Sequence, residues 1–332
     1  MIYEWNVLRT VACLSVVLLH ATTNTAIVNG DVHNDYYQFF RLVLCFATPT
    51  FILLSIIILA KRYPANLPVF FLWRRCQYIF IPFLCFATFY ASNATLRYDE
   101  NFGYMLYRHI VLGDFSGWFV LTIFQFYMLF FIIRKYQLSS VWFVPIFGTL
   151  GILYSLFISA FPVLNDAVSR WLLIGWLPYF AIAYIWGTHY TWLAVKLVHY
   201  RLATLIWCIL SIAILAISYH MGLTAITSRR LDMILLVLAI TCCILAYGQL
   251  LPKLPIIQII SSYSFGIFLL HWLIQDYLAP YTALLPSTVL QVLVLFISSL
   301  LLCIICLNIL ARLPYSYYLI GKLPKQKTAK SN

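Results

Sequence analysis

Apolar runs of about 20 residues follow one another through nearly the whole chain, and this repetition constrains the fold more than any other feature. Read with their loops, the runs fall near 6–27, 38–60, 74–93, 115–134, 140–162, 171–190, 202–220, 231–250, 255–279 and 287–311, about ten in all. A helix of that length crosses roughly 30 Å of hydrocarbon. In lipid every backbone N–H and C=O needs a partner inside the segment, so the runs read as helices. No alternating ten-residue pattern of barrel strands is present. Only 9% of the residues are charged and 64% are hydrophobic, whereas a soluble chain is about 25% charged. The expected fold is all-α: a polytopic integral membrane protein with about ten transmembrane helices. One domain spans 1–312, and a short basic tail follows over 313–332.

Charge sets the expected orientation. Lys61, Arg62, Arg74, Arg75, Arg134, Lys135, Lys196, Arg201, Lys253, Arg312 and the lysines of the tail fall on one set of loops. Arg97, Arg108, Arg170, Arg229 and Arg230 fall on the other. Lys and Arg collect in cytoplasmic loops, so both termini are expected in the cytoplasm, with the tail against anionic lipid. The 21 Lys and Arg outnumber the 9 Asp and Glu, but they form no basic face and no RNA-binding module, which excludes nucleic acid as a partner. The nine cysteines lie in apolar runs, apart from Cys76, which reads as part of a short basic loop. None has zinc-ligand spacing, and no metal is expected. The opening "MIYEW" lacks a positive n-region, so the first run reads as a retained helix and not a signal peptide. The polar and aromatic stretch near 94–114 is suited to lie along the surface.

Polar groups inside the runs are few, and each is costly: a charge in mid-membrane costs on the order of 3 kcal/mol on insertion scales. The first run, "NVLRTVACLSVVLLHATTNTA", holds Arg9 and His20. Their spacing is about 20° past three full turns, so they share one helix face, roughly 16 Å apart along the axis. Asn6, Cys13 and Asn24 fall near that face. In "ISSYSFGIFLLHWLIQDYL", His271 reaches a matching depth with Ser264 and Gln275 on its own face. Two stripes with a histidine at one depth point to a shared cavity. A structural histidine and an arginine snorkelling to the interface are the alternatives open at this point. "FLWRRCQYIFIPF" places Arg74 and Arg75 at the entrance of the third run. That suits the phosphates of a nucleotide-bearing donor, as well as plain topology. Arg41 reads as a snorkelling cation and Trp118-Phe119 as part of an aromatic belt.

Together these stretches resemble the membrane acyltransferase-3 family, from residue 3 to about residue 310. Members open with a span carrying Arg, ten residues, then His, as Arg9 and His20 do. A basic entry to the third span ending in Ile-x-x-Pro is matched by "RRCQYIFIP". A Trp-Phe or Trp-Tyr pair opens the fourth span, matched by Trp118-Phe119. A late Ser-Tyr-Ser…Leu-x-His stretch is matched by "SYSFGIFLLHW". The second span, "TPTFILLSI", keeps Pro49, Phe51 and Ser55 but has Ile56 where many members have glycine. Gly117 stands where a histidine often precedes the tryptophan. Both departures look like the branch of the family tied to poly-N-acetylglucosamine biosynthesis, whose members have been called exporters as well as acyltransferases.

The resemblance implies an O-acyltransferase of a bacterial-type plasma membrane. It would move acetyl or succinyl from cytoplasmic acyl-CoA to a hydroxyl of a surface polysaccharide or its lipid-linked precursor. No permanently bound cofactor is expected. A sugar hydroxyl is a poor nucleophile, and histidine is the usual general base. His20 would be that base or a transient acyl carrier. Arg9, Arg74 and Arg75 would bind the donor, and His271, Ser264, Tyr263, Arg41 and Trp118 would line the acceptor side. Two other readings stay open: a polysaccharide exporter whose polar stripes line a conduit, and a scaffold for a membrane glycosyltransferase.

Overall fold

A computed structural model describes residues 2–30, 32, 34–161 and 167–321. The described residues form helices and connecting turns, with no strand among them. The first expected run is α1 (Tyr3–Asn29), closed by Gly30 in the left-handed conformation, whose N–H returns to the last turn. The second run is a broken pair, α2 (Asp35–Leu44) and α3 (Ala47–Arg62). Pro49 explains the break. It has no N–H, so the Cys45 carbonyl four residues back loses its helical partner. Ser228 Oγ donates to that carbonyl at 2.8 Å, which meets the need that lipid cannot.

The third run comprises α4 (Phe71–Arg75), a π-helical turn at Cys76–Phe80 and α5 (Ile81–Tyr98). Cys76 therefore begins a turn inside the span, and the expected loop there does not exist. Next comes α6 (Phe102–Ile110), capped by the Asn101 side chain, with Phe102, Tyr104 and Tyr107 exposed as expected for a surface segment. A 3₁₀ turn at Ser116–Trp118 leads into α7 (Phe119–Lys135), followed by α8 (Ser140–Ala160).

The sixth expected run is where sequence and structure part. The chain forms α9 (Ala167–Trp171), a 3₁₀ turn at Leu173–Trp176 and α10 (Leu177–Thr188). Leu173–Thr188 is shorter than a full span. Apolar side chains run straight through the break, so hydropathy does not mark it. Pro178, in the first turn of α10, sets the new helix start. The remaining helices are α11 (Tyr190–His199), α12 (Arg201–His220), α13 (Leu231–Gly248), α14 (Pro255–Thr282), α15 (Thr288–Leu310) and α16 (Tyr317–Ile320). Among the described residues, nine helical stretches are long and apolar enough to cross a membrane. The chain is a multi-pass membrane protein.

At the centre, α1 packs on α14, α13, α15 and α3. Peripheral helices turn large apolar groups outward, such as Trp142 of α8, Leu210 of α12 and Leu301 of α15. Against lipid tails those surfaces need no partner. Both described ends lie on one face, called the terminal face below. Tyr3 Oη donates to the Pro252 carbonyl at 2.6 Å, just before α14, and Gly321 packs on Phe265 of the same helix. Residues 322–332 of the expected tail lie outside the described residues. Its first part is packed on the bundle: Ile320 is 2% exposed, and Cys85 Sγ donates to the Tyr318 carbonyl at 3.8 Å.

The α3–α10 contact depends on Gly187. A Cβ there would lie 2.6 Å from both the Ile57 carbonyl oxygen and Ala60 Cβ. Gly148, on α8, has open space instead. Gly187→Leu should therefore cost about 1–3 kcal/mol through forced backbone shift. Thermal unfolding in detergent should show a lowered melting temperature for Gly187→Leu and none for Gly148→Leu; equal values would contradict the packing.

Candidate functional site

Two polar stripes meet where α1 lies along α14. At the terminal end, Arg9 Nη1 donates to Ser261 Oγ at 3.2 Å, and Ser261 Oγ donates to Asn6 Oδ1 at 3.1 Å. Farther along, His20 Nδ1 lies 2.5 Å from His271 Nε2. The two ring centres are 4.8 Å apart and the planes differ by 5°. That separation is the N···N distance plus one ring radius at each end, so the imidazoles lie side by side in one plane. The bond then runs along the nitrogen lone pair. A zinc ion would hold each nitrogen at about 2.0–2.1 Å, and the 2.5 Å between these two leaves it no place.

The protons follow from the partners each nitrogen meets. His271 Nδ1 is 2.9 Å from the Ile267 carbonyl oxygen, which can only accept, so Nδ1 carries the proton. The neutral ring presents its lone pair at Nε2, and His20 donates to it from Nδ1. His20 Nε2 is left unprotonated, a lone pair held in fixed orientation. Around the pair, Asn24 Nδ2 donates to the His20 carbonyl at 3.1 Å and to Gln275 Oε1 at 3.2 Å. Gln275 Nε2 donates to the Val17 carbonyl at 2.9 Å, and Trp272 stands edge-on to His20 at 4.9 Å. His271 is fully buried, while His20 keeps part of its surface accessible.

A cavity of about 490 Å³ opens at the terminal face. Arg62, Arg75, Tyr78 and Gly321 surround its mouth, and Arg9, Ser55, Tyr127 and Ser261 line its middle. Phe51 of α3, Phe119 of α7 and Phe268 of α14 are the lining residues farthest toward the opposite face. Phe119 and Phe268 have ring centres 3.7 Å apart, and Phe51 is 6.0 Å from Phe268. His271 is one turn past Phe268, at 5.8 Å between rings. Neither histidine lines the cavity; the phenylalanines stand between.

Charge separates the two faces. On the opposite face Arg97 pairs with Asp276 at 2.5 Å, Arg230 with Asp232 at 2.5 Å, and both Arg108 and Arg170 with Asp114. At the cavity none of Arg9, Arg62 and Arg75 has an acidic partner among the described residues. Arg75 lies 5.1 Å from the ring centres of both Phe71 and Tyr127, with its Nε buried and unbonded. Three guanidiniums with no carboxylate among them have the chemistry to receive a polyanion.

The structure redistributes several of the expected site residues. Arg74 is exposed and off the cavity, and Arg62 stands at the mouth instead. Ser264 lines the cavity on the same side as Arg9, not beyond the histidines, and its Oγ donates to the Ser261 carbonyl at 2.9 Å. Tyr263 turns toward α15, with Asn308 Oδ1 at 3.5 Å. His271 is the partner of His20 and has no free surface to offer a ligand. Arg41 donates from Nη1 to Gln38 at 2.8 Å and from Nη2 to Thr23 at 3.1 Å, one turn from His20. Trp118 packs on Trp176 at 5.6 Å between rings.

Sequence reading missed Phe268, Tyr127, Ser261 and the C-terminal turn as site residues. Phe51 and Ser55 were visible inside a recognisable segment without a role, and Phe119, expected in an aromatic belt, is 3% exposed and lines the cavity. Gly321 carried a signal too weak to read. Its φ is +76°, and a Cβ would lie 2.9 Å from Phe265 Cδ1 and 3.0 Å from the Tyr78 carbonyl, so the wall closes there only with glycine.

Comparison with known proteins adds the following. The acyltransferase-3 profile, described as an acyltransferase domain, matches residues 2–308. A putative membrane-bound acyltransferase YfiQ of Bacillus subtilis is 31% identical, covering 98% of this chain and 96% of its own. A probable poly-beta-1,6-N-acetyl-D-glucosamine export protein of Staphylococcus aureus is 25% identical, covering 96% and 95%. The protein of the same description from Staphylococcus epidermidis is 26% identical, covering 96% and 94%. No solved structure matches.

Diethylpyrocarbonate adds to an unprotonated imidazole nitrogen. Peptide mapping by mass spectrometry should find the adduct on His20 and none on His271. Absence of the adduct from His20 would contradict a free lone pair at its Nε2.

Proposed function

Because the chain belongs to the acyltransferase-3 family, by the match over residues 2–308, it is a membrane acyltransferase, and we propose that it moves an acyl group from cytoplasmic coenzyme A to a hydroxyl of a surface polysaccharide or of its lipid-linked precursor. One observation carries this reading. A cavity with three guanidiniums and no acid opens at the terminal face and ends one helical turn short of an ordered histidine pair. The terminal face bears the loops richest in Lys and Arg, which supports reading it as the cytoplasmic face of a bacterial plasma membrane.

Arg62 and Arg75 at the mouth meet the phosphates of the donor, and Arg9 meets its arm deeper in. The acceptor hydroxyl meets the part of the His20 surface that stays accessible. Its oxygen bonds the acyl carbon while His20 Nε2 takes its proton. The carbon–sulfur bond breaks, and the leaving sulfur takes that proton from His20, which frees coenzyme A and restores the neutral imidazole. His271 accepts the Nδ1–H of His20 throughout and so steadies the imidazolium, itself anchored by the Ile267 carbonyl. A base held by a third group is the usual arrangement for this task. Relatives described as polysaccharide export proteins keep export as the second reading. Against it, the phenylalanines interrupt the path from the cavity to the histidine pair.

His20→Ala should lower acyl transfer by about 10²–10⁴-fold. Mass spectrometry of the polysaccharide should find its ester-linked acyl groups reduced to the level of the deletion strain, with polymer still reaching the surface and protein amount unchanged. Esters persisting in His20→Ala would sink the assignment, and polymer trapped inside only in the deletion would favour export. His271→Gln offers an oxygen to the same N–H and should retain measurable transfer, while His271→Leu should fall close to His20→Ala. Equal loss in both would leave the His271 bond without a role.

A further inference from the structure

This inference rests on the cavity being the donor site. With the nucleotide at the mouth, the acyl group comes to rest at the inner end, and that end has its own chemistry. Phe51, Phe119, Val120 and Phe268 form it. None has a charge or a hydrogen-bonding group. The charged residues stop short of it or lie beyond it. Arg9 is bonded to Ser261, about two helical turns before Phe268. Arg41 is past the histidines, with Nη1 on Gln38 and Nη2 on Thr23. A carboxylate carried to this end would be buried with no cation to meet it, one of the costliest arrangements in a protein. A methyl or ethyl group there would meet apolar carbon, most of it aromatic.

Size is limited as well. Phe119 and Phe268 are each 3% exposed, and their rings touch at 3.7 Å between centres. Phe268 faces two ways: it packs on Phe119 at the cavity end and on His271 beyond. An acyl carbon reaches the histidine pair only as this ring contact parts, so the bulk of the group is tested at the point of delivery.

We propose that Phe51, Phe119 and Phe268 select the donor, so that the protein takes coenzyme A thioesters of short, uncharged acyl groups and rejects succinyl and long-chain ones. Of acetyl and succinyl, the two donors the sequence left open, this favours acetyl and extends to propionyl.

The test is titration calorimetry on the full-length protein in lipid nanodiscs, with free coenzyme A and its acetyl, propionyl, octanoyl and succinyl thioesters. Acetyl- and propionyl-coenzyme A should bind alike, and the octanoyl and succinyl thioesters about tenfold or more weaker, a difference well above measurement error. Phe119→Ala should bring octanoyl to within about threefold of acetyl while leaving succinyl weak, because space is gained and no cation is. Should that variant not fold, Phe51→Ala, whose ring is only partly buried, makes the same test. Equal binding of all four thioesters to the wild type, with Arg75→Gln weakening every one, overturns the selection and leaves the donor site standing. Absence of coenzyme A binding altogether overturns the donor site, and the selection with it.

Discussion

A polar group inside a lipid-surrounded bundle has no water to turn to, and the α1–α14 contact is organised by that requirement. Arg9 meets Ser261, Asn24 meets Gln275, and His20 meets His271. Each bond holds one helix against the other at a defined register. A slip of one residue would rotate all three pairs apart by about 100°. The histidine bond is the most demanding of them, since it needs both rings in one plane and one nitrogen of each in a stated protonation state. Gln275 and Asn24 serve it from the side, and the Ile267 carbonyl fixes its direction.

The rest of the site is arranged around this seam in two unlike compartments. On the terminal side, cations gather without acids, and aromatic faces hold Arg75 where a carboxylate would elsewhere. On the opposite side, arginines are closed off by Asp114, Asp232 and Asp276. An unneutralised cation cluster costs stability and is tolerated where a polyanion relieves it. Between the compartments stand three phenylalanines, which cost nothing in a bundle and pass nothing charged. Such a division suits the proposed transfer, in which a thioester would approach the histidine pair without opening a leak.

Adjacent residues show where sequence reading reaches its limit. Arg74 and Arg75 are equivalent by composition, yet they point about 100° apart on a helix, and the π turn at Cys76–Phe80 shifts which of them meets the cavity. Tyr263 and Ser264 are parted in the same way: one faces Asn308 on α15, the other the cavity. His20 and His271 were legible as polar groups at equal depth, because helical rise converts residue number into height. That they bond each other was not, because height says nothing about distance across the bundle. The break before Pro178 was hidden by apolar side chains that fill both the turn and the helix after it. The packed turn at Tyr317–Ile320 was read as part of a basic tail because the lysines that follow dominate its composition.

By itself the sequence determined that this chain lives in a membrane as helices, which loops carry its positive charge, and which few residues must find polar partners in lipid. Hydropathy and helical periodicity are local, and they survive in any arrangement of the helices. Only the tertiary structure decided that His271 bonds His20, that Arg62 and not Arg74 joins Arg9 and Arg75, and that three phenylalanines from three helices close the cavity short of the histidine pair. Those facts are contacts between segments far apart in the chain, and they depend on helix rotation and packing, which no single run of residues specifies.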